Sequence, residues 1–280
     1  MALSIPLSPQ HDMNALIGTH DLVFITFDTL RYDVAQQALQ QGMTPVLASL
    51  LPDGGWEKRQ TSATFTYAAH QAFFAGFWPV PIPKPVPYQR RFACQFGGSE
   101  TTGNGTWTTP AASIIQGLQQ VGYHTICIGG VGFFNPANAL GTVLPSLFME
   151  NHWSTGMSVT SPTSTAQQVA LACERLAALP RTQRVLLFVN ISALHQPNCL
   201  FTAGATADSV HTQMNALAYV DRQLPPLLAA LQQRGTSFCL LCADHGTAYG
   251  EDGVWGHGVA HPVVWEVPYT EFCLPALEHT

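Results

Sequence analysis

A chain of 280 residues, 46% of them hydrophobic and only 10% charged, has apolar material for one sizeable α/β core. Its net charge is −6 and its 11 Lys and Arg are scattered, so no basic stripe exists to follow a nucleic-acid backbone. The 23 Gly and 20 Pro in so apolar a chain point to ordered loops around a buried centre and argue against disorder.

In chain order, Met1 to His20 shows no basic segment followed by an apolar core, so no secretory leader is visible. No apolar run approaches the roughly 20 residues of a membrane span, and membrane insertion is not expected. Leu22 to Phe27 reads as a buried parallel strand ending at Asp28, with a helix from near Arg31. A short helix is predicted over Thr44 to Leu51, and an Ala-rich one from Thr66 to Gly76 with Pro79 beyond it. Pro79 to Pro87 and Gly97 to Thr109 read as loops. Pro110 then opens a helix to Val121, followed by a strand over Thr125 to Ile128. A helix over Thr165 to Leu179 leads to a strand from Arg184 to Ile191. His211 to Arg234 is helical, with a break demanded by Pro225 and Pro226. Phe238 to Ala243 is a buried strand ending at Asp244, and Pro268 to Phe272 a last short strand.

Strands alternate with helices throughout, which predicts a mostly parallel sheet with helices on both faces and one domain over 1–280. Seven Cys, several inside strands or helices, read as buried thiols in a reducing compartment, with the cytoplasm expected. Cys239 and Cys242 form a CxxC, but inside a strand, where packing is the expected role.

Three stretches carry chemistry. Asp28, at a strand end, suits a hard cation, though a helix cap is the competing role. Thr66 stands at a helix start, where a hydroxyl is a cap or a nucleophile and the helix dipole favours an anionic group. Asp244-His245-Gly246, followed by Gly250-Glu251, His257-Gly258 and His261, offers carboxylate and imidazole donors in a Gly-rich loop, as a zinc or manganese site requires.

Taken together, these segments resemble the alkaline phosphatase superfamily over about Leu22 to Phe272. Thr66-Tyr67-Ala68-Ala69-His70 is similar to the Thr-Phe-Pro-Asn-His of nucleotide pyrophosphatases and to the Cys-x-Pro-x-Arg of sulfatases. Gly76 to Pro79 matches their Gly-x-x-Pro ending. Asp244-His245-Gly246 resembles the second metal motif, and Gly250 to Gly258 the corresponding loop of lipid A phosphoethanolamine transferases. His195-Gln196-Pro197 is similar to the sulfatase His-x-Pro. Ala218 to Asp221 resembles a structural helix of sulfatases. The nearest group is a set of small bacterial sulfatase-like metalloenzymes.

The resemblance implies a three-layer alkaline-phosphatase-like sandwich and a hydrolase cleaving a phosphate mono- or diester. One or two divalent ions are implied, zinc or manganese first and calcium or magnesium next. Asp28, Asp244 and His245 would hold an ion that also contacts Thr66, the nucleophile of a phospho-threonine intermediate. His195 and His257 would take a second ion or the leaving oxygen. The partner implied is a small phosphorylated substrate. Departures limit the transfer of roles. Thr66 cannot become the formylglycine of sulfatases, and the only lysines are Lys58 and Lys84, so sulfatase activity is disfavoured. Ala68 and Ala69 replace the pyrophosphatase Pro and Asn, so charge stabilisation must come from Asn190, His195 or backbone amides. Arg31 and His70 are open between orienting loops or substrate and plain structural roles, and His261 between ligand and structure. A phosphoryl transferase, a phosphomutase and a non-catalytic metal-binding remnant are the alternatives.

Overall fold

The structure, a computed structural model, describes residues 11–52, 54–75 and 113–277. The predicted loops at 79–87 and 97–109, the Gly76–Pro79 ending and the Pro110 helix start lie outside the described residues.

Strand β1 (Asp21–Phe27) is buried along almost its whole length, which is why its sequence is a continuous apolar run. It pairs in parallel with β5 (Val185–Ile191) on one side and β6 (Ser237–Ala243) on the other. Beyond β5 come β3 (His124–Ile128) and then β4 (Glu150–His152), both parallel. Beyond β6 come β7 (Glu266–Leu274) and β2 (Glu57–Gln60), paired antiparallel, giving the order β2-β7-β6-β1-β5-β3-β4 among the described residues. The expected mostly parallel sheet is present. β2 and β4 were not legible in the sequence. Their residues, Glu-Lys-Arg-Gln and Glu-Asn-His, are polar because both strands lie at sheet edges, where charge discourages pairing with another chain.

Alternate residues of each central strand feed opposite layers. Val23, Ile25, Phe27, Leu187, Val189 and Leu241 pack under α2 (Tyr32–Gln40), α3 (Pro45–Leu50), α6 (Ser164–Ala178), α7 (Val210–Gln223) and α8 (Pro225–Arg234). Leu22, Leu186, Phe188 and Phe238 pack under α1 (Met13–Leu16), α4 (Thr66–Ala75) and α5 (Ile114–Gln120). These are the three layers implied above. Cys239 and Cys242 have opposite parity on β6. Cys239 belongs to the first layer's core, and the pair is a packing feature as expected.

Several boundaries have clear local causes. α7 ends at Gln223 and α8 restarts at Pro225, where a missing N–H costs nothing in a first turn. α5 starts at Ile114, where Ser113 and Gln116 form a reciprocal capping box. α3 lacks a side-chain cap of its own, and Asp221 of α7 supplies one. Its carboxylate accepts the Leu47 N–H at 2.7 Å and the Val46 N–H at 3.2 Å. Asp221 is therefore structural.

The Asp221→Ala variant is expected to lose about 1–3 kcal/mol in urea unfolding, because the buried Leu47 amide and the half-buried Val46 amide lose their acceptor. An unchanged unfolding midpoint would contradict this account of α3.

Candidate metal and nucleophile site

Three adjacent central strands, β5, β1 and β6, end side by side, with Phe27 level with Ile191 and Ala243. Asp28 and Asp244-His245 are the residues next in line, so the carboxyl edge of the sheet brings them together, as open α/β sheets do for ligand groups. One donor atom from each of Asp28, Asp244 and His245 lies within 4.8 Å of the others, and all three side chains are fully buried. Thr66 reaches the cluster from the first turn of α4. Its Oγ1 is 3.4 Å from Asp28 Oδ2 and 3.2 Å from His245 Nε2. That hydroxyl has one proton to share between two acceptors.

The cluster has too much negative charge and too few protons. Asp28 Oδ1 and Asp244 Oδ2 are buried without a hydrogen-bond partner. His245 Nδ1 lies 2.9 Å from the Gly246 carbonyl, which can only accept, so Nδ1 carries the hydrogen and Nε2 presents a lone pair 3.5 Å from Asp244 Oδ2. Burial pushes the Asp28 carboxyl above the usual carboxylate range, and the charge of Asp244 adds to the rise. Burial likewise pushes Asp244 up to about 7, against the Thr29 and His245 N–H groups that hold it down. His245 is held below its ordinary value, chiefly by burial. Two carboxylates and a bare imidazole nitrogen facing one another in a dry site are complementary to a divalent cation. Mixed oxygen and nitrogen donors suit zinc or manganese.

The surrounding backbone is built for this. Thr29 adopts a left-handed conformation at φ 63°, rare for a β-branched residue, and its N–H donates to Asp244 Oδ1 at 3.2 Å. Thr29 Oγ1 donates to the Leu194 carbonyl at 3.0 Å, and buried Gln213 donates to the Thr29 carbonyl at 2.9 Å. Thr61 donates its hydroxyl to the Asp244 carbonyl. A Cβ at Gly246 would meet the Val263 carbonyl oxygen at 2.0 Å, which explains the Asp-His-Gly sequence. A Cβ at Gly130 would meet the Asn190 carbonyl oxygen at 2.6 Å. The roles of Thr29, Gln213 and Thr61 escaped the sequence reading. The Gly129-Gly130 pair at the end of β3 was a visible signal of close approach.

The remaining candidates divide. His257 lies beside the cluster, its ring centroid 4.7 Å from that of His245 and 5.3 Å from that of His195. Burial, then the nearby His245 and His195, lower His257 to about 4. His195 Nδ1 is 2.7 Å from the Gln196 carbonyl, so its Nε2 is also a lone-pair donor. Asn190 is next to the site, but its amide nitrogen donates to Asp28 Oδ2 at 3.1 Å and its oxygen accepts the Val131 N–H at 3.2 Å. It supports Asp28 instead of facing outward to a substrate. His261 caps α9 (Pro262–Trp265), accepting the Val263 N–H at 3.3 Å, and pairs with Asp252 at 3.1 Å, apart from the cluster. Arg31 binds Asp33 and Glu251, tying the start of α2 to the loop that leads to His257.

No family model and no curated protein matches the chain. Solved structures do. The C-terminal periplasmic domain of phosphoethanolamine transferase EptC from Campylobacter jejuni aligns at TM-score 0.60 and 15% identity, over 91% of this chain and 79% of that one. The corresponding domain of EptC from Escherichia coli, in complex with Zn, aligns at 0.56 and 13%, over 92% and 73%. A protein in the alkaline phosphatase superfamily from Vibrio parahaemolyticus aligns at 0.56 and 18%, over 90% and 60%. At such identities the likeness establishes the architecture: this chain has the alkaline-phosphatase-like fold.

Protons compete with a cation for Asp28 and Asp244 most strongly, since burial lowers the proton affinity of His245. Raised folded-state pKa values mean that, without a cation, these carboxylates favour the folded state less as pH rises from about 4 to about 7. A bound cation reverses that loss. The rise in Tm produced by zinc or manganese over chelated protein is therefore expected to grow from pH 5 to pH 8, measured by scanning calorimetry at each pH. An ion effect that is flat or shrinks with pH would count against this site. Asp244→Asn should abolish the ion-dependent part.

Proposed function

We propose that the protein cleaves a phosphate ester with Thr66 Oγ1 as nucleophile. Asp28, Asp244, His245 and Thr66 would hold one divalent ion, zinc or manganese in the first place. His195 and His257 would hold a second ion or the leaving oxygen. The observation that carries this reading is the convergence of one donor atom each from buried Asp28, Asp244 and His245 within 4.8 Å of one another, with the Thr66 hydroxyl 3.4 Å from Asp28 Oδ2 and 3.2 Å from His245 Nε2. The fold shared with phosphoethanolamine transferase domains, one of them in complex with Zn, supports phosphoester chemistry at this edge of the sheet.

In this mechanism the chain's residues have separate tasks. Thr66 Oγ1 bonds to phosphorus as the bond to the leaving oxygen breaks, giving phospho-Thr66, which water hydrolyses to release phosphate. The hydroxyl proton faces Asp28 Oδ2 at 3.4 Å, the oxygen placed to receive it. Asn190 and Thr29 fix the two carboxylates so that they need not reorganise during the reaction. A divalent ion held there would lower the pKa of the hydroxyl and offset the charge developing on phosphorus-bound oxygens. Ala69 is fully buried, so the pyrophosphatase Asn position contributes nothing toward substrate. The substrate is a small phosphorylated molecule. Free thiols such as Cys127, Cys239 and Cys242 support action in a reducing compartment, the cytoplasm first.

A second reading keeps the phospho-Thr66 step and passes the group to an alcohol instead of water. It is favoured by the likeness to the phosphoethanolamine transferase EptC of Campylobacter jejuni. Thr66→Ala is expected to abolish turnover of 4-nitrophenyl phosphate and its bis ester while leaving the ion-dependent rise in Tm largely intact. Acid-quenched wild type should carry a phosphate adduct on the Thr66 peptide by mass spectrometry. Equal activity in wild type and Thr66→Ala would end the nucleophile assignment. Phosphate appearing on an added alcohol in preference to water would select the transferase.

A further inference from the structure

Below Thr66 runs a buried chain of hydrogen bonds whose direction is forced at every link. The Val131 N–H can only donate, so the Asn190 oxygen is its acceptor at 3.2 Å and the amide is fixed in orientation. Asn190 Nδ2 then faces Asp28 Oδ2 at 3.1 Å and Thr26 Oγ1 at 3.3 Å, and donates to both. At the other end, the Thr66 carbonyl can only accept, so His70 Nδ1, 2.7 Å away, carries a hydrogen. His70 Nε2 is then a lone pair, 3.0 Å from Thr26 Oγ1, and the Thr26 hydroxyl donates to it. Thr26, His70 and Asn190 are each fully buried. The rings of Phe73, Phe74, Phe134 and Phe188 surround the imidazole edge-on at 5.4–5.8 Å.

We propose that His70 is a positioning residue for Thr66, the middle of a one-way chain from Asn190 through Thr26 to the Thr66 carbonyl. The same Asn190 nitrogen holds Asp28. One buried amide thus sets both the carboxylate and, through Thr26 and His70, the backbone that carries the hydroxyl 3.4 Å from it. A helix alone fixes Thr66 less well, because first-turn residues lack part of the hydrogen bonding that holds helix interiors. The aromatic surroundings would accept a Phe in place of the imidazole. The polar chain is what requires His. The catalytic consequence rests on the assignment of Thr66 as nucleophile; the positional one does not.

The test uses three readouts on the full chain. In 15N-histidine-labelled wild type, His70 should be the Nδ1–H tautomer; the Nε2–H tautomer would overturn the proposal, whatever the activity. In His70→Phe, the Thr66 methyl resonance should shift or broaden, and in His70→Asn, which keeps an N–H near the Nδ1 position, it should move back toward wild type. An unmoved Thr66 resonance in His70→Phe would also overturn it. With 4-nitrophenyl phosphate, kcat of His70→Phe should fall on the order of 100-fold at nearly constant KM, with partial recovery in His70→Asn. Unchanged kcat in folded His70→Phe would reduce His70 to packing. Wild type that turns over no phosphate ester, yet shows the Nδ1–H tautomer and a displaced Thr66 resonance in the Phe variant, would remove the hydrolase reading and uphold the positioning role.

Discussion

The site depends on two carboxylates that cannot satisfy each other. Asp28 and Asp244 are buried at the ends of neighbouring strands, each with one oxygen that accepts no hydrogen bond. In water such a pair would separate. Here the β1–β6 ladder below and the Thr29, Asn190 and Thr61 hydrogen bonds around hold them in place. A sheet can impose that arrangement because its core is built independently: the apolar faces of β1, β5 and β6 are packed on both sides before the edge is reached. Stability is stored in the layers and spent at their rim.

Much of this was legible in the sequence, and the reason is physical. Central parallel strands are buried on both faces, so they read as continuous apolar runs ending in a polar residue, and Phe27-Asp28 and Ala243-Asp244 each mark such an end. Glycines that permit close backbone approach, as at Gly246, leave a trace as well. The edge strands β2 and β4 were not legible, since an edge strand is chosen for polarity and carries no pattern that separates it from a loop. Asn190 was read as a substrate contact because it stands at a strand end. Only the register that sets Asn190 level with Thr26 shows it turned toward Asp28. His261 was a plausible ligand by spacing, but the loop turns it to cap α9. Distances across the sheet, not along the chain, decided each of these cases.

The support comes from two parts of the fold. Asp28 and Asp244 are each held by several hydrogen bonds, and Thr66 by its own helix and His70. The loop bearing His257 is held by a short antiparallel pairing of Ala248 with Gly256 and Tyr249 with Trp255, by the Asn198 amide donating to the Tyr249 hydroxyl at 2.8 Å, by the Gly258 N–H to the Thr64 carbonyl at 2.7 Å, and by the Arg31 bond to Glu251. Asp28, Asp244 and Thr66 thus stand on the sheet edge and a helix, whereas His257 stands on a loop. A division of that kind suits a fold in which one chemical centre serves different substrates through different loops.

The hydrogen bond from Thr29 to Asp244 joins residues 215 positions apart. On a nascent polypeptide the first carboxylate would leave the ribosome long before the second exists, and no cation pocket can form until β6 has slotted in beside β1. Metal can therefore neither template the early collapse nor be captured during most of synthesis. Any cation taken up there would be taken up by the finished sheet.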